Sequence, residues 1–573
     1  MTLVNTTLAT PVRAGSADDL RAAGTLLTKV GALPVLVVWH DERPYAIEDR
    51  CPHLGFPLHQ GTVEAGLITC HWHHARFDLA SGCTLDPWAD DAIGFDCAVR
   101  DGDVWVNART PGDPPAVGLA RLRDGLEHGF TLVIAKAVLG LLEAGVDVAA
   151  IVAEGVRHGL ANRAEGWSSG LTTLVALANL APDLAPADRA AALVHGLVEV
   201  ARSTNGHPAR FGEAPLAPAG VAPERVAAWY RRLVETRTAD AAERTLATLV
   251  AAGDLGAADE AMFAAITDHV FIDEGHTLDF TNKAFEAIAL LGPALAPDAL
   301  GSLVAQTCAA DRAEESGPWQ HPVDLAALAE HGGDALASAA PPADARWDDT
   351  DALAHTVVTG EPHDAVAALV AARTAGATAE ELARAVAYAA ALRLTRFHVR
   401  NDPGDWDTVH HAFTTANALH QAIVRRPTPE LLRGVVQVAL RVHLDRFLNV
   451  PAARIPDAAT GDLAELDDCW DRQGQVDRAG AIVVGHLRGG GSAAAVVAAL
   501  GHALLVEDAG FHWYQIVEAA ARQATAWPAG EQQALVLAGA ARFLAAHTPT
   551  RRERAQVIRT ATLLRRGEPV FEE

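Results

Sequence analysis

Two short pairs of cysteine and histidine near the N-terminus have the residue types and the spacing of metal ligands. The pairs are Cys51 with His53 and Cys70 with His73. One thiolate and one imidazole in each pair would let one iron of a two-iron cluster take two thiolates and the other two imidazoles. Structural zinc usually takes C-x2-4-C and H-x3-5-H pairs, and six cysteines in 573 residues are too few for a disulfide framework. The pattern therefore favours an iron-sulfur cluster over zinc or a disulfide.

The residues around the two pairs match a known family. Leu-Gly at 54–55 follows the first pair, Arg-Phe-Asp-Leu-Ala-Ser-Gly at 76–82 follows the second, and a proline loop begins at 85–87. This segment resembles the Rieske ferredoxins. The resemblance implies a [2Fe-2S] cluster with one iron on two thiolates and the other on two imidazoles, and its expected ligands are Cys51, Cys70, His53 and His73.

Two positions depart from the pattern of that family. His71 stands where the family usually has proline, and His74 stands where it often has glycine. We expect these residues to adjust local hydrogen bonds without preventing cluster binding. The C-x2-H spacing selects His73 rather than His74 as the ligand.

The elements expected to position these loops are short β-strands. Apolar runs at 35–39, 44–47 and 103–106 are bounded by turn residues, as strands of a small sheet are. They predict a small all-β domain over residues 1–112. A linker rich in proline and glycine follows at 110–115.

From residue 117 onward the apolar residues recur at helical spacing, and motifs recur at a distance. Trp167 with Asn179 resembles Trp406 with Asn417, and the segment 271–287 resembles the segment 505–519. The expected fold class is therefore multidomain α and β, with a small all-β Rieske domain followed by a large all-α duplicated helical array. The predicted helical halves are residues 117–340 and 341–573.

Composition excludes several classes of function. The net charge of -26 argues against nucleic acid as a partner, since phosphates attract a basic face. No apolar run reaches the ~18 residues of a membrane span, which predicts a cytoplasmic protein without a membrane partner. The sequence leaves open whether the protein is an oligomer.

The helical part contains histidines that could form a second metal site. His128, His276, His355 and His411 stand in similar local settings. Each alone would ordinarily be a hydrogen-bonded structural residue. As a group brought together from several helices, imidazoles form a recurrent non-haem metal pocket, and iron accepts imidazole readily.

Lys283 adds to this hypothesis because only three lysines occur among the 46 lysines and arginines. It shares roughly one helical face with His276 and Glu286. A buried lysine with a lowered pKa could react with CO2 to give a carbamate ligand. The alternatives are a solvated lysine paired with Glu286, or Glu286 itself as the ligand.

A second, more diffuse resemblance covers the helical part. Residues 126–130 with 141–145, Asp405-Trp406 and the stretch 410–415 resemble elements of the questin oxidase-like family of helical non-haem oxygenases. The resemblance implies that His128 and His411 belong to an iron site. A late Gly-His-x-x-Lys element of that family reads here Gly510-Phe-His512-Trp-Tyr-Gln515, with glutamine in place of lysine, which makes His512 as plausible a ligand as His355.

The sequence thus predicts a fused oxygenase. An external NAD(P)H-dependent reductase or ferredoxin reductase would reduce the [2Fe-2S] cluster. The cluster would pass electrons to a mononuclear non-haem iron that activates O2 toward a small organic substrate, for which an aromatic compound is one candidate. That iron is expected between the helical halves, bound by some of the five histidines with Lys283 or Glu286 as the anionic ligand, and Asp407 is expected to orient His411. The alternative hypothesis is a redox sensor or electron-transfer protein with a helical partner-binding scaffold and no second metal.

Overall fold

The structure is a computed structural model that describes residues 11–108, 113–217, 220–340, 342, 344–457, 461–568 and 570. The chain divides into two compact units, residues 1–154 with 554–573, and residues 155–553. The predicted domain limits at 1, 112, 341 and 573, and half of the linker at 110–115, lie outside the described residues. The three-domain division therefore stays a prediction.

The first unit contains two antiparallel sheets. The larger sheet has the strand order β1-β9-β8-β4-β3-β2, and the smaller has the order β5-β6-β7. The predicted strands at 35–39, 44–47 and 103–106 fall within β3, β4 and β9. The strands are β1 (Val12–Ser16), β2 (Thr25–Val30), β3 (Leu33–His40), β4 (Arg43–Glu48), β5 (Thr62–Glu64), β6 (Leu67–Thr69), β7 (Arg76–Asp78), β8 (Gly94–Arg100) and β9 (Asp103–Ala108).

Strand β3 is buried on both faces because its side chains alternate between two hydrophobic cores. Leu36 and Val38 pack in one core together with Cys51 and Cys70, and that core also receives side chains of β6 and β7. Val35 and Val37 point into the other core. The cysteines are thus anchored in apolar packing that both sheets share.

Helices complete the first unit. Helix α2 begins at Pro114, whose ring fixes a backbone φ that suits the first turn of a helix. It ends before Gly129, which has a left-handed backbone with φ 69. Near its C-terminus the chain returns to this unit, where Arg565 lies 2.5 Å from Glu143. The helices that begin in this unit or lie in it are α1 (Ala17–Ala23), α2 (Pro114–His128), α3 (Thr131–Glu143) and α4 (Val148–Ala161), and the last helix of the chain is α24 (Glu553–Arg566).

In the described residues of the second unit, all regular secondary-structure elements are helices. The predicted fold class, a small antiparallel β domain followed by a large helical region, is confirmed. No helix in the described part of the chain is long and apolar enough to cross a membrane. The helices are α5 (Ser169–Leu180), α6 (Arg189–Thr204), α7 (Pro223–Glu235), α8 (Ala239–Ala251), α9 (Leu255–Thr267), α10 (His276–Leu291), α11 (Ala296–Ala309), α12 (Gly317–Gln320), α13 (Leu325–Ser338), α14 (Thr350–Thr359), α15 (Pro362–Ala375), α16 (Ala379–Thr395), α17 (Pro403–Arg425), α18 (Pro429–Leu444), α19 (Glu465–Trp470), α20 (Val476–Arg488), α21 (Ala493–Val506), α22 (Phe511–Thr525) and α23 (Glu531–His547).

Four of these helices contain or directly follow the repeated motifs. Helices α5 and α17 belong to the first pair of motifs, and α10 and α22 to the second. Each helix of one pair packs on both helices of the other pair. This reciprocal packing is consistent with an internal duplication, and the duplication itself stays a prediction.

Candidate redox and metal sites

Two loops of the same conformation hold the cysteines of the first unit. The Cys51 N–H donates to the carbonyl of Phe56 over 2.8 Å, and the Cys51 carbonyl accepts from the Gly55 N–H over 2.8 Å. The second loop repeats both hydrogen bonds at the same offsets. Its members are Cys70, Ala75 and His74, with distances of 2.8 and 3.0 Å.

The two thiols face each other and accept backbone hydrogen bonds. Amides of residues 53 and 54 donate to Cys51, and amides of residues 72 and 73 donate to Cys70. The hydrogen bond between the thiols lowers the pKa of Cys70 to about 6 and raises that of Cys51. Both side chains are buried. Thiolates held by backbone amides in this way are the sulfur ligands that an iron-sulfur cluster uses.

The two imidazoles lie beside each other as well. The ring centroids of His53 and His73 are 4.8 Å apart, and Trp88 lies 4.8 Å from His53. Burial lowers the pKa of His53 to about 4, so the ring is neutral near pH 7. Its buried Nδ1 has no hydrogen-bond partner among the residues that the structure describes. A neutral imidazole with an unused nitrogen, paired with a second imidazole and two thiols, fits a [2Fe-2S] cluster.

Three further histidines, each from a different helix, converge in the second unit. His276 is the first residue of α10, His411 lies in α17 and His512 lies in α22. One nitrogen of each ring lies within 4.8 Å of the others, and the Nε2 atoms of His411 and His512 are 3.3 Å apart. Two imidazole nitrogens on one metal are separated by about 3.0–3.4 Å. We call this group the histidine triad.

Carboxylates lie at ion-pair distance from the outer nitrogens of two triad rings. A Glu274 oxygen lies 2.9 Å from Nδ1 of His411, and an Asp407 oxygen lies 2.9 Å from Nδ1 of His512. Contact with His411 lowers the pKa of Glu274 to about 2. Burial opposes ionisation of Asp407, yet His512 still lowers its pKa. Ionised carboxylates behind the rings turn the Nε2 atoms inward and would compensate a metal cation.

The loop before α10 is strained in a way that places Glu274. Phe271, Asp273 and Glu274 have left-handed backbones, with φ of 44, 50 and 51. Gly275 follows with φ 96, and a Cβ there would collide with the hydroxyl of Thr415. Such conformations are rare for residues with side chains and cluster at functional sites. The strain is consistent with a loop shaped to bring Glu274 to His411.

His276 is the triad ring with an aromatic surrounding. Burial, followed by the neighbouring His411 and His512, lowers the pKa of His276 to about 3 and keeps the ring neutral. The ring of Phe280 lies 5.5 Å and the ring of Phe511 5.7 Å from that of His276. Both phenylalanines are partly exposed. They form an apolar wall next to the triad.

The first unit has recognisable relatives. A family model described as the Rieske [2Fe-2S] domain matches residues 10–95. Ferredoxin CarAc of Metapseudomonas resinovorans is 31% identical over 94 residues, which are 16% of this chain and 87% of that ferredoxin. This chain belongs to the Rieske [2Fe-2S] domain family. The family implies a [2Fe-2S] cluster in the first unit.

Two further relatives match this chain over only a small part of their own length, whereas a solved ferredoxin matches over almost all of its length. Human apoptosis-inducing factor 3 is 33% identical over 91 residues, 16% of this chain and 15% of that protein. The 4beta-methylsterol monooxygenase of Methylococcus capsulatus is 50% identical over 40 residues, 7% of this chain and 11% of that enzyme. A solved ferredoxin of carbazole 1,9a-dioxygenase from Nocardioides aromaticivorans is 28% identical with a TM-score of 0.17, and covers 18% of this chain and 99% of its own.

The Rieske domain contains one position where glycine should be better than the native residue. His74 has φ 63, and Gly55 has φ 84 at the equivalent place of the first loop. We expect His74→Gly to stabilise the domain by about 0.5–1 kcal/mol, because relief of the left-handed strain exceeds the entropy cost of glycine. Thermal melting followed by cluster absorbance measures this. His71→Gly is the matched control and should destabilise, since His71 contacts Thr62 over 2.7 Å; a lower melting temperature for His74→Gly contradicts the argument.

The structure brings together some predicted site residues and not others. His276, His411 and His512 form the triad, but His128 and His355 are exposed and are not members. His128 bonds the Asp124 carbonyl over 2.9 Å through Nδ1. Asp407 contacts His512 rather than His411, which corrects the expected orientation role.

Lys283 is engaged elsewhere. Its Nζ lies 2.9 Å from both Glu286 and Glu518, and the side chain is 1% exposed. Burial alone would lower the pKa of Lys283, but the charges of Glu286, Glu518 and Asp279 together raise it. A carbamate forms only from the neutral amine, so this ion-pair network opposes the carbamate ligand that the sequence suggested. Glu286 likewise faces Lys283 and is not part of the triad.

Two functional candidates were absent from the expected site. No feature of the sequence indicated Glu274, because the left-handed residues at 271, 273 and 274 that position it are not glycines. His410 did have one, because it is adjacent to His411. Its ring lies 4.6 Å from that of His512, and neither ring nitrogen has a hydrogen-bond partner in the described part of the chain.

Proposed function

We propose that this protein is a Rieske-containing oxygenase with a second, mononuclear non-haem iron. The [2Fe-2S] cluster would be bound in the Rieske domain by Cys51, Cys70, His53 and His73. The iron would be bound in the helical unit by His276, His411 and His512. The observation that carries the proposal is the histidine triad, whose inward nitrogens and outer carboxylates have the arrangement of a metal centre.

The chemistry of the triad supports iron and O2. Three imidazole ligands leave coordination positions open, and a non-haem iron in such a site would supply O2 activation. Glu274 and Asp407 supply the negative charge that offsets the cation. The partly exposed rings of Phe280 and Phe511 favour an apolar, aromatic organic substrate. Electrons would come from an external NAD(P)H-dependent reductase or ferredoxin reductase.

A second candidate function is an electron-transfer protein or redox sensor whose helical unit binds a partner and no metal. The observation that favours it is the 3.3 Å separation of the His411 and His512 Nε2 atoms, which also permits a direct hydrogen bond between the rings. The similarity of the Rieske domain to a ferredoxin, CarAc, is consistent with this function. The two candidates differ in iron content.

Metal and sulfide analysis of the purified protein tests the proposal. We expect about three irons and about two acid-labile sulfides per chain, with a rhombic paramagnetic signal after reduction. Cys70→Ser and His73→Ala should each bleach the cluster, since one iron loses a protein ligand. Two irons with two sulfides would support the electron-transfer candidate instead, and bound zinc without sulfide would overturn the cluster itself.

A further inference from the structure

A lysine of the helical segment contacts the first cluster loop. Lys136 of α3 donates through Nζ to the Pro52 carbonyl and lies 3.4 Å from the His53 carbonyl oxygen. The same Nζ lies 2.9 Å from a carboxylate oxygen of Asp90. The Lys136 side chain is 10% exposed. A largely buried positive charge therefore lies directly behind a residue that the proposed cluster needs.

The carboxylate of Asp90 also forms an ion pair with an arginine of the neighbouring helix. Arg121 of α2 lies 3.1 Å from Asp90, and its guanidinium donates to the Ala89 carbonyl over 3.0 Å. Residues 87–90 include Trp88, whose ring covers His53. Lys136 thus contacts the segment that contains His53, Arg121 contacts the segment that contains Trp88, and both cations contact Asp90.

We propose that Lys136 is a positioning residue that raises the reduction potential of the Rieske cluster, with Asp90 as the opposing charge. The inference rests on the cluster of the proposed function. When the cluster accepts one electron from the reductase, its charge becomes more negative by one, and no bond forms or breaks in the protein. A nearby ammonium stabilises that reduced state, and a nearby carboxylate destabilises it, because a site with little water screens charge weakly.

Opposite shifts from two single substitutions test this. Lys136→Met removes the positive charge and leaves Asp90 in place, so the ratio of reduced to oxidised cluster at a fixed ambient potential should fall about tenfold. Asp90→Asn leaves the cations unopposed and should raise that ratio. The measurement is a redox titration followed by the paramagnetic signal of the reduced cluster. Lys29→Met is the matched control, because Lys29 is an exposed lysine on β2 of the same unit, and its ratio should not change.

The same titration separates charge from loop packing. If Lys136 only held the loop in place, both variants would shift the potential in the same direction. The double variant Lys136→Met with Asp90→Asn removes one charge of each sign and should return close to the wild-type potential. If the Lys136→Met variant does not assemble the cluster, an unchanged or lowered reduction potential in Asp90→Asn still overturns the inference. Absence of the rhombic signal from the wild-type protein would instead refute the cluster, and with it the proposed function.

Discussion

Replacing His411 or His512 with alanine is expected to remove the third iron and to abolish turnover while the Rieske signal stays intact. Loss of the outer-shell partner of a metal ligand already costs about 10–100-fold in metal affinity, and loss of the ligand itself costs more. Glu274→Gln should therefore weaken iron binding by about 10–100-fold, a smaller loss than His411→Ala gives. The measurement is iron per chain relative to sulfide, taken together with the paramagnetic spectrum of the reduced cluster.

His355→Ala is the matched control for these variants. His355 is an exposed histidine of α14 in the same unit and is not a member of the triad. It should keep the third iron and wild-type turnover. The triad assignment is wrong if His411→Ala and His512→Ala keep the same iron content as the wild type, or if His355→Ala loses it.

The cluster-binding loops could be predicted because the ligands of each pair are only two or three residues apart in the sequence. Cys51, His53, Cys70 and His73 lie in two short loops, and the spacing within each pair sets which atoms meet. The strands around them were predictable for a related reason. Alternating burial along β3 leaves a continuous apolar run in the sequence, since both faces of that strand pack in a core.

The triad was predictable only as a set of candidates. His276, His411 and His512 lie on three helices, so no spacing in the sequence relates them. The resemblance to helical oxygenases indicated His411 and suggested His512, but it equally indicated His128, which the structure places outside the group. Glu274 could not be predicted, because its position depends on a run of left-handed residues that are not glycine.

Lys283 is buried, as the carbamate hypothesis requires, but its ion pairs favour the charged amine over the carbamate. Its rarity in an arginine-rich chain and its place in a helix indicated a special environment. Its second partner, Glu518, lies in α22 and could not be predicted from the sequence around Lys283. With Glu286 as its one partner, Lys283 could form an ordinary surface ion pair. With two, at 1% exposure, the lysine holds together a buried charge network that Asn179 joins by donating 2.7 Å to Glu286.

Removal of the Lys283 charge should therefore cause a large loss of stability. Lys283→Met leaves Glu286 and Glu518 without the cation that they share, with Arg522, 3.3 Å from Glu518, remaining as a cation beside them. Breaking a buried ion pair in this way costs about 3–5 kcal/mol. Urea denaturation followed by far-ultraviolet circular dichroism measures the change. Adding Glu518→Gln to Lys283→Met removes one stranded charge and should recover part of the loss, whereas Lys29→Met should have almost no effect. A loss below about 1 kcal/mol for Lys283→Met would show that the network contributes little, and it would reopen the case for an amine that changes its charge.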